Sequence, residues 1–163
     1  MMPVSDRVKV LFHLDRDGDG WPPVGAESVW GELTEDPHVV RLANVPFFVR
    51  GVAWGDEVRI RQADADGLRE YESLVRESGH STVRIVFHDE ARAAEVCARL
   101  ADLGCDWEGV SAFPNLIAVN IPPELPYGGL RAWLDENRAA GLFDFEEGCI
   151  SDRHRAAWQQ VSQ

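Results

Sequence analysis

In the first half of the chain, apolar side chains recur at every second position. Val8, Val10, Phe12 and Leu14 alternate with Lys9 and His13, which predicts a strand with one buried face. The run ends in Asp15-Arg16-Asp17-Gly18-Asp19-Gly20, a turn by composition. Residues 27–33 and 38–42 read as short strands separated by Thr34-Glu35-Asp36-Pro37. At Asn44-Val45-Pro46-Phe47-Phe48 the proline forbids a helix, and the paired Phe mark a chain bending across a core. Gly55-Asp56-Glu57 turns into the alternating run Val58-Arg59-Ile60. Asp64-Ala65-Asp66-Gly67 is another turn, and residues 70–76 read as a strand. Five or six short strands with no helical pattern predict a small antiparallel β-barrel or curled sheet over residues 1–78.

The period then changes. Thr82-Val83-Arg84-Ile85-Val86-Phe87 is strongly β-prone. Asp89 stands where an N-cap would, and Ala93, Val96, Cys97, Leu100 and Leu103 follow at helical spacing up to Gly104, a residue suited to end a helix. Residues 105–111, the turn Phe113-Pro114-Asn115 and the apolar strand 116–121 come next. Beyond a Pro-rich link at 122–127, Leu130, Trp133 and Leu134 mark one face of a second helix ending near Gly141. Residues 142–150 return to strand. Strand, helix, two strands, helix, strand is a ferredoxin-like βαββαβ order, expected over residues 79–150. The polar tail, residues 151–163 with one Trp158, reads as a short docked helix or a frayed end. The expected fold class is therefore α+β, a barrel-like subdomain followed by a ferredoxin-like one.

Composition narrows the function more than it names it. The 163 residues are 45% hydrophobic and include six Trp and seven Phe, enough to fill a core at this length. Acids outnumber bases 28 to 16, a net charge of −12, and both halves share the excess: 15 against 9 up to residue 80, 13 against 7 after it. Arg59 with Arg61, and Arg153-His154-Arg155, are the densest basic stretches, and acids flank both. A surface that tracks phosphates needs clustered cations to release counterions, so nucleic acid is not an expected partner. No apolar run approaches the roughly 18 residues that span a bilayer, and residues 1–10 lack the blocks of a signal peptide. No membrane partner is expected. Cys97, Cys105 and Cys149 are odd in number and lack C-x-x-C spacing, which indicates neither a disulfide framework nor a zinc site and fits a reducing cytoplasm.

Several segments together resemble a known family. They are Asp19-Gly20-Trp21-Pro22-Pro23-Val24, Glu27-Ser28-Val29-Trp30, Asn44-Val45-Pro46-Phe47-Phe48, Ser78-Gly79-His80-Ser81-Thr82-Val83-Arg84, Leu103-Gly104-Cys105 and Phe145-Glu146-Glu147-Gly148-Cys149. In order and without large gaps, over residues of about 8–150, they resemble the bacterial domain-of-unknown-function family 4265. The tail from Ser151 lies outside the resemblance. The resemblance implies no activity, cofactor or partner.

Chemistry has one main candidate location. In a ferredoxin-like sheet the first and last strands are antiparallel neighbours, so the entrance of one faces the exit of the other. That brings His80, Ser81 and Thr82 near Glu146, Glu147 and Cys149. An imidazole beside a thiol makes a nucleophile, and a carboxylate can orient the imidazole, so His80, Ser81, Glu147 and Cys149 are the catalytic candidates. The simpler reading is packing between the two modules. Asp15, Asp17, Asp19 and Gly20 match the first half of a calcium loop, D-x-D-x-D-G, but its twelfth position is Ala26 and Pro22-Pro23 stiffens the wrap; an acidic hairpin turn is the default, and no metal is expected. The five histidines stand singly, without metal-ligand spacing. There is no nucleophile elbow, phosphate loop or dinucleotide fingerprint, and no cofactor is expected. Trp21, Trp30, Phe47 and Trp54 are the candidates for a ligand groove or an interface anchor, against the simpler reading that they are barrel core.

Two function classes follow. The first is a non-enzymatic acidic interaction protein, of an immunity or antitoxin-like inhibitor or regulator type, that binds a basic partner by electrostatic steering. The alternative is a small enzyme of specialised metabolism acting on a small molecule at the His80, Ser81, Glu147 and Cys149 cluster. A buried, unreactive Cys149 would count against the enzyme. An enclosed polar pocket holding His80 would favour it.

Overall fold

The computed structural model describes residues 7–62 and 67–161, so most of the turn expected at 64–67 lies outside the described residues. The chain is α+β, with two sheets and three helices. Strands β1 (Arg7–His13), β2 (Ala26–Leu33), β3 (Val39–Leu42), β4 (Glu57–Gln62) and β5 (Arg69–Arg76) follow one another around a closed five-strand barrel. The alternation read from the sequence sets the two faces. Val8, Val10, Phe12, Val29, Val40, Leu42, Val58 and Ile60 form its buried interior. Gly31 is required there, because a Cβ at that position would overlap the Val40 side chain.

On the outer wall the register places Arg7 opposite Glu32, Glu32 opposite Arg41, Arg41 opposite Glu57 and Glu57 opposite Arg76. Charge therefore alternates across all five strands, and opposite charges on neighbouring strands stabilise a sheet. Arg41 and Glu57 close to 3.2 Å.

One feature departs from the expected antiparallel barrel. Neighbouring strands from β1 to β5 in sequence order are antiparallel, but the closing pair, β1 with β5, is parallel and spans only Val10 with Arg69 and Leu11 with Glu70. The two strands then splay, and the rings of Phe12 and Tyr71 stack across the gap at 4.7 Å. A barrel whose first and last strands run the same way needs an even number of reversals, and four antiparallel steps supply it.

The second sheet holds β6 (Ser81–Phe87), β7 (Asp106–Gly109), β8 (Leu116–Ile121) and β9 (Phe143–Cys149) in the order β7-β8-β6-β9, each pair antiparallel. Asp89 caps the 3₁₀ turn Glu90–Arg92, which leads into α1 (Ala93–Leu103); Gly104, at φ 95°, ends it in the left-handed conformation that glycine adopts without strain. Helix α2 (Tyr127–Ala139) and α1 pack on one face of the sheet against Val83, Ile85, Phe87, Val119 and Ile121. The tail forms α3 (Asp152–Val161), with Trp158 packed edge-on against Tyr127. Among the described residues, no helix is long and apolar enough to cross a membrane.

The other face of this sheet meets the barrel. Val45, Phe47, Phe48, Leu116 and Ala118 form a separate buried cluster at the junction. The corner predicted at residues 44–48 is held by Glu27, whose carboxylate accepts the amides of Phe47 (2.6 Å), Phe48 (2.9 Å) and Val49 (2.9 Å). Removing it leaves three partly buried donors without their acceptor, each of which carries a desolvation penalty. Glu27→Ala is expected to lower the unfolding free energy by about 3 kcal/mol in urea titration, a loss that a surface Glu→Ala on β5 would not reproduce.

Candidate functional site

The antiparallel pairing of β6 with β9 sets Thr82 opposite Cys149, Val83 opposite Glu147 and Arg84 opposite Glu146. The candidate residues are thus neighbours along one edge, as the strand order requires. Their side chains do not converge, because successive residues of a strand point to opposite faces.

Glu147 points to the helix face, where it accepts a short hydrogen bond from the Tyr127 hydroxyl and pairs with Arg131 at 2.9 Å. Burial, together with that carboxylate, pushes the Tyr127 hydroxyl well above the ordinary phenol range. Glu146 points to the barrel. Ser81 is completely buried, and its hydroxyl lies 2.5 Å from His154 Nδ1, a residue of α3. His80 donates through Nδ1 to Asn120 Oδ1 at 3.1 Å and stacks near Trp54, with centroids 6.4 Å apart. Cys149 lines an open cleft of about 450 Å³ with Glu77, Asp152 and Arg155. Burial pushes its thiol up to about 12, and the Asp56 and Glu77 carboxylates add to the shift. A thiol held that high is protonated at neutral pH and is a poor nucleophile. Each of the four candidates therefore has its own surroundings, and no thiol–imidazole pair forms among them.

Next to this cluster lies a polar group that sequence reading missed. Asp56 is buried and accepts from Ala53 N (3.0 Å) and Ser78 N (2.9 Å), while the Ser78 hydroxyl donates to the Trp54 carbonyl at 2.6 Å. Burial raises the Asp56 pKa against these hydrogen bonds. The sequence showed Gly55-Asp56-Glu57 only as a turn; an acid between apolar segments, four residues after Val52, gave no further signal.

The junction holds a buried charge, Arg84, 1% exposed on an otherwise uncharged strand. Its Nη1 donates to the carbonyls of Phe47 (3.2 Å) and Val49 (3.3 Å), and Nη2 to Glu146 at 2.7 Å. Glu146 also accepts from Arg50 Nε (3.0 Å) and from the Trp21 indole (3.1 Å). Burial alone would raise the Glu146 pKa; Arg84 and Arg50 carry it below the ordinary carboxylate value. Arg84 Nε is buried without a hydrogen-bond partner among the described residues. The guanidinium fits because position 148 is glycine: a Cβ there would sit 2.7 Å from Nη1.

Three of the four aromatic candidates meet at the junction: Phe47 is part of its buried cluster and Trp21 and Trp54 pack against it, Trp54 also neighbouring His80. Trp30, 41% exposed, lies on the outer barrel wall with Arg7 and Lys9 over its ring at 5.3 and 4.9 Å. Trp21 does line a cleft of about 480 Å³ beside Phe12, Phe48, Arg50 and Tyr71, at the β1–β5 seam. In the acidic loop, Asp17 Oδ1 accepts the amides of Asp19 and Trp21, both at 2.9 Å, so this carboxylate shapes the turn. Among the described residues no group of three or more His, Cys, Asp or Glu is placed to hold a metal ion.

Two outcomes check this geometry. Iodoacetamide at about pH 8 is expected to modify Cys149 no faster than Cys97, read by peptide mass spectrometry. Gly148→Ala is expected to cost about 1–3 kcal/mol by forcing a methyl group into the Arg84 guanidinium, measured by thermal or urea unfolding.

A hypothetical protein from Neisseria gonorrhoeae, known from its crystal structure, superimposes with a TM-score of 0.73 over 90% of this chain and 95% of that one, at 20% sequence identity. That likeness is one of fold. No curated protein matches the sequence. The sequence profile of the domain of unknown function DUF4265 matches residues 27–145, from β2 into β9, and the chain belongs to that family.

Proposed function

We propose that this protein is a non-enzymatic, acidic interaction protein that engages a basic partner, in the manner of an inhibitor or regulator of the immunity or antitoxin type. One observation carries the reading: the acidity left over after internal pairing. Residues 79–150 contain twelve acids and five arginines. Arg84 is paired with Glu146, Arg92 with Glu95, Arg131 with Asp135 and Glu147, and Arg138 with Asp135. Asp102, Asp106 and Glu124 are exposed and form no ion pair among the described residues, and the fifth arginine, Arg99, is exposed one helical turn before Asp102. They lie around the end of α1 at β7, an edge strand, where Leu125 packs beside Gly104. A carboxylate surface with little local cation attracts positive charge over distances of about a Debye length and speeds encounter.

The order β7-β8-β6-β9, with a helix after β6 and another after β8, supports a ferredoxin-like module in which both helices cover one face. Cysteine usage supports a cytoplasmic setting, the acidic balance argues against a nucleic-acid partner, and the lack of a long apolar run argues against a membrane one. The enzymatic alternative draws less support, because His80, Ser81, Glu147 and Cys149 each bond or pack with different groups.

The test is capture on the immobilised full chain from a host extract, identification of what salt elutes, and titration of the purified binder. A basic protein is expected, its affinity falling by at least about tenfold between roughly 0.05 and 0.3 M salt. The triple variant Asp102→Lys, Asp106→Lys, Glu124→Lys is expected to slow association by a similar factor. A binder indifferent to both salt and charge reversal overturns the proposal.

A further inference from the structure

Helix α3 lies beyond the family match and is fastened to the core at its first turn. Ser151 caps it, the side-chain oxygen accepting the His154 amide at 3.2 Å while the hydroxyl donates to the Gly79 carbonyl at 2.9 Å. His154, 2% exposed, completes the attachment. Its Nε2 is 2.9 Å from the Pro122 carbonyl, which can only accept, so Nε2 carries the hydrogen. Nδ1 is therefore a bare acceptor, and it takes the Ser81 hydroxyl at 2.5 Å. Ser81 Oγ in turn accepts the Ser151 amide at 2.9 Å. One tautomer of the neutral imidazole satisfies every group.

We propose that the Ser81–His154 pair is an acid-operated latch: protonation of His154 undocks α3 and uncovers Tyr127 on α2. A second ring proton, on Nδ1, would meet Oγ as a donor. The Ser81 hydroxyl would then lose its acceptor in a fully buried seat, and a charge would be enclosed with it. The surroundings do not compensate. Arg153 precedes His154 on α3, and His80 approaches from the segment before β6; both oppose added positive charge. From α2, the Tyr127 ring lies 6.1 Å away, its hydroxyl committed to Glu147, which Arg131 also holds. From the link between β8 and α2 come only the backbone groups of Pro122 and Leu125. Among the described residues, no carboxylate bonds the imidazole.

Burial is the largest influence on this imidazole and holds its pKa below the ordinary 6.5; the Pro122 carbonyl opposes the shift, while Arg153 and His80 reinforce it. The docked state therefore binds fewer protons than the released one. Docking is complete above 6.5 and weakens as pH falls from there toward the lowered value. The rest of the attachment centres on Trp158, with the Arg131 guanidinium 5.8 Å from its ring. Trp158 lies over Gly128, where a Cβ would come within 3.2 Å of the indole, and edge-on to Tyr127 at 5.6 Å.

The experiment is backbone-amide hydrogen exchange on the full chain at about pH 7.5 and about pH 5.5, corrected for intrinsic rates. Protection of α3 is expected to fall by up to about tenfold per pH unit below 6.5 while β6 and β8 keep theirs. His154→Gln, which supplies a donor and an acceptor but does not titrate, is expected to remove the pH dependence, and His80→Gln to retain it. Protection of α3 that is independent of pH, or lost together with β6, overturns the latch. So does a pH dependence that survives His154→Gln or vanishes in His80→Gln. Should His154→Gln fail to dock, proton NMR titration of the unmodified chain decides instead: a His154 midpoint below 6.5 that tracks α3 exchange supports the latch, and one at or above 6.5 overturns it.

Discussion

Within the apolar junction between the two halves of this protein, one buried guanidinium is the central polar contact. Arg84 sits on the central strand of the second sheet and reaches into the barrel's corner loop, where it donates to two carbonyls. The same loop is held from its amide side by Glu27. The peptide groups of residues 47–49 are therefore satisfied by an acid from β2 on one side and a base from β6 on the other. Neither contact works alone: the carboxylate shapes the loop that the arginine reads, and the arginine fixes that loop against the sheet. A buried cation is costly unless it is paired and hydrogen-bonded, and removing one partner strands the other. Glu146 supplies the balancing charge, and Trp21 and Arg50 add barrel contacts to that carboxylate.

Much of the architecture was legible because period two and period 3.6 separate cleanly along the chain. Alternation at residues 8–12 and 58–60, the cap at Asp89 and the stop at Gly104 all correspond to observed elements. The parallel closure of β1 on β5 was not legible, since a contact of two residue pairs between strands far apart in sequence leaves no periodic trace. Arg84 was visible as a residue but not as a hub. Its signal was a lone charge amid Thr82-Val83 and Ile85-Val86, which demands a buried partner if the run is a central strand.

The candidate site was legible in register and not in direction. Strand order alone brings residues 80–82 beside 146–149, whereas side-chain facing sends Glu146 to the barrel and Glu147 to α2. Ser81 found its imidazole in the tail, a polar segment that read as a short docked helix or a frayed end. The sign that was available there is Ser151 ahead of Asp152, a serine where a helix begins. The histidine three residues on faces inward because the cap fixes where the first turn starts.

The short parallel seam also orders events in time. Hairpin contacts carry the chain from β1 to β2 and then stepwise through to β5, each closing a modest loop. The ring itself shuts only when residues 10 and 11 meet 69 and 70, across the whole meander, and the entropy of that long loop is repaid by two residue pairs, one ring stack and the His13–Glu70 contact at 3.3 Å. Non-local pairing of this kind is the slow part of β folding. A nascent chain therefore carries β1 paired along one edge only, against β2, until β5 has been made.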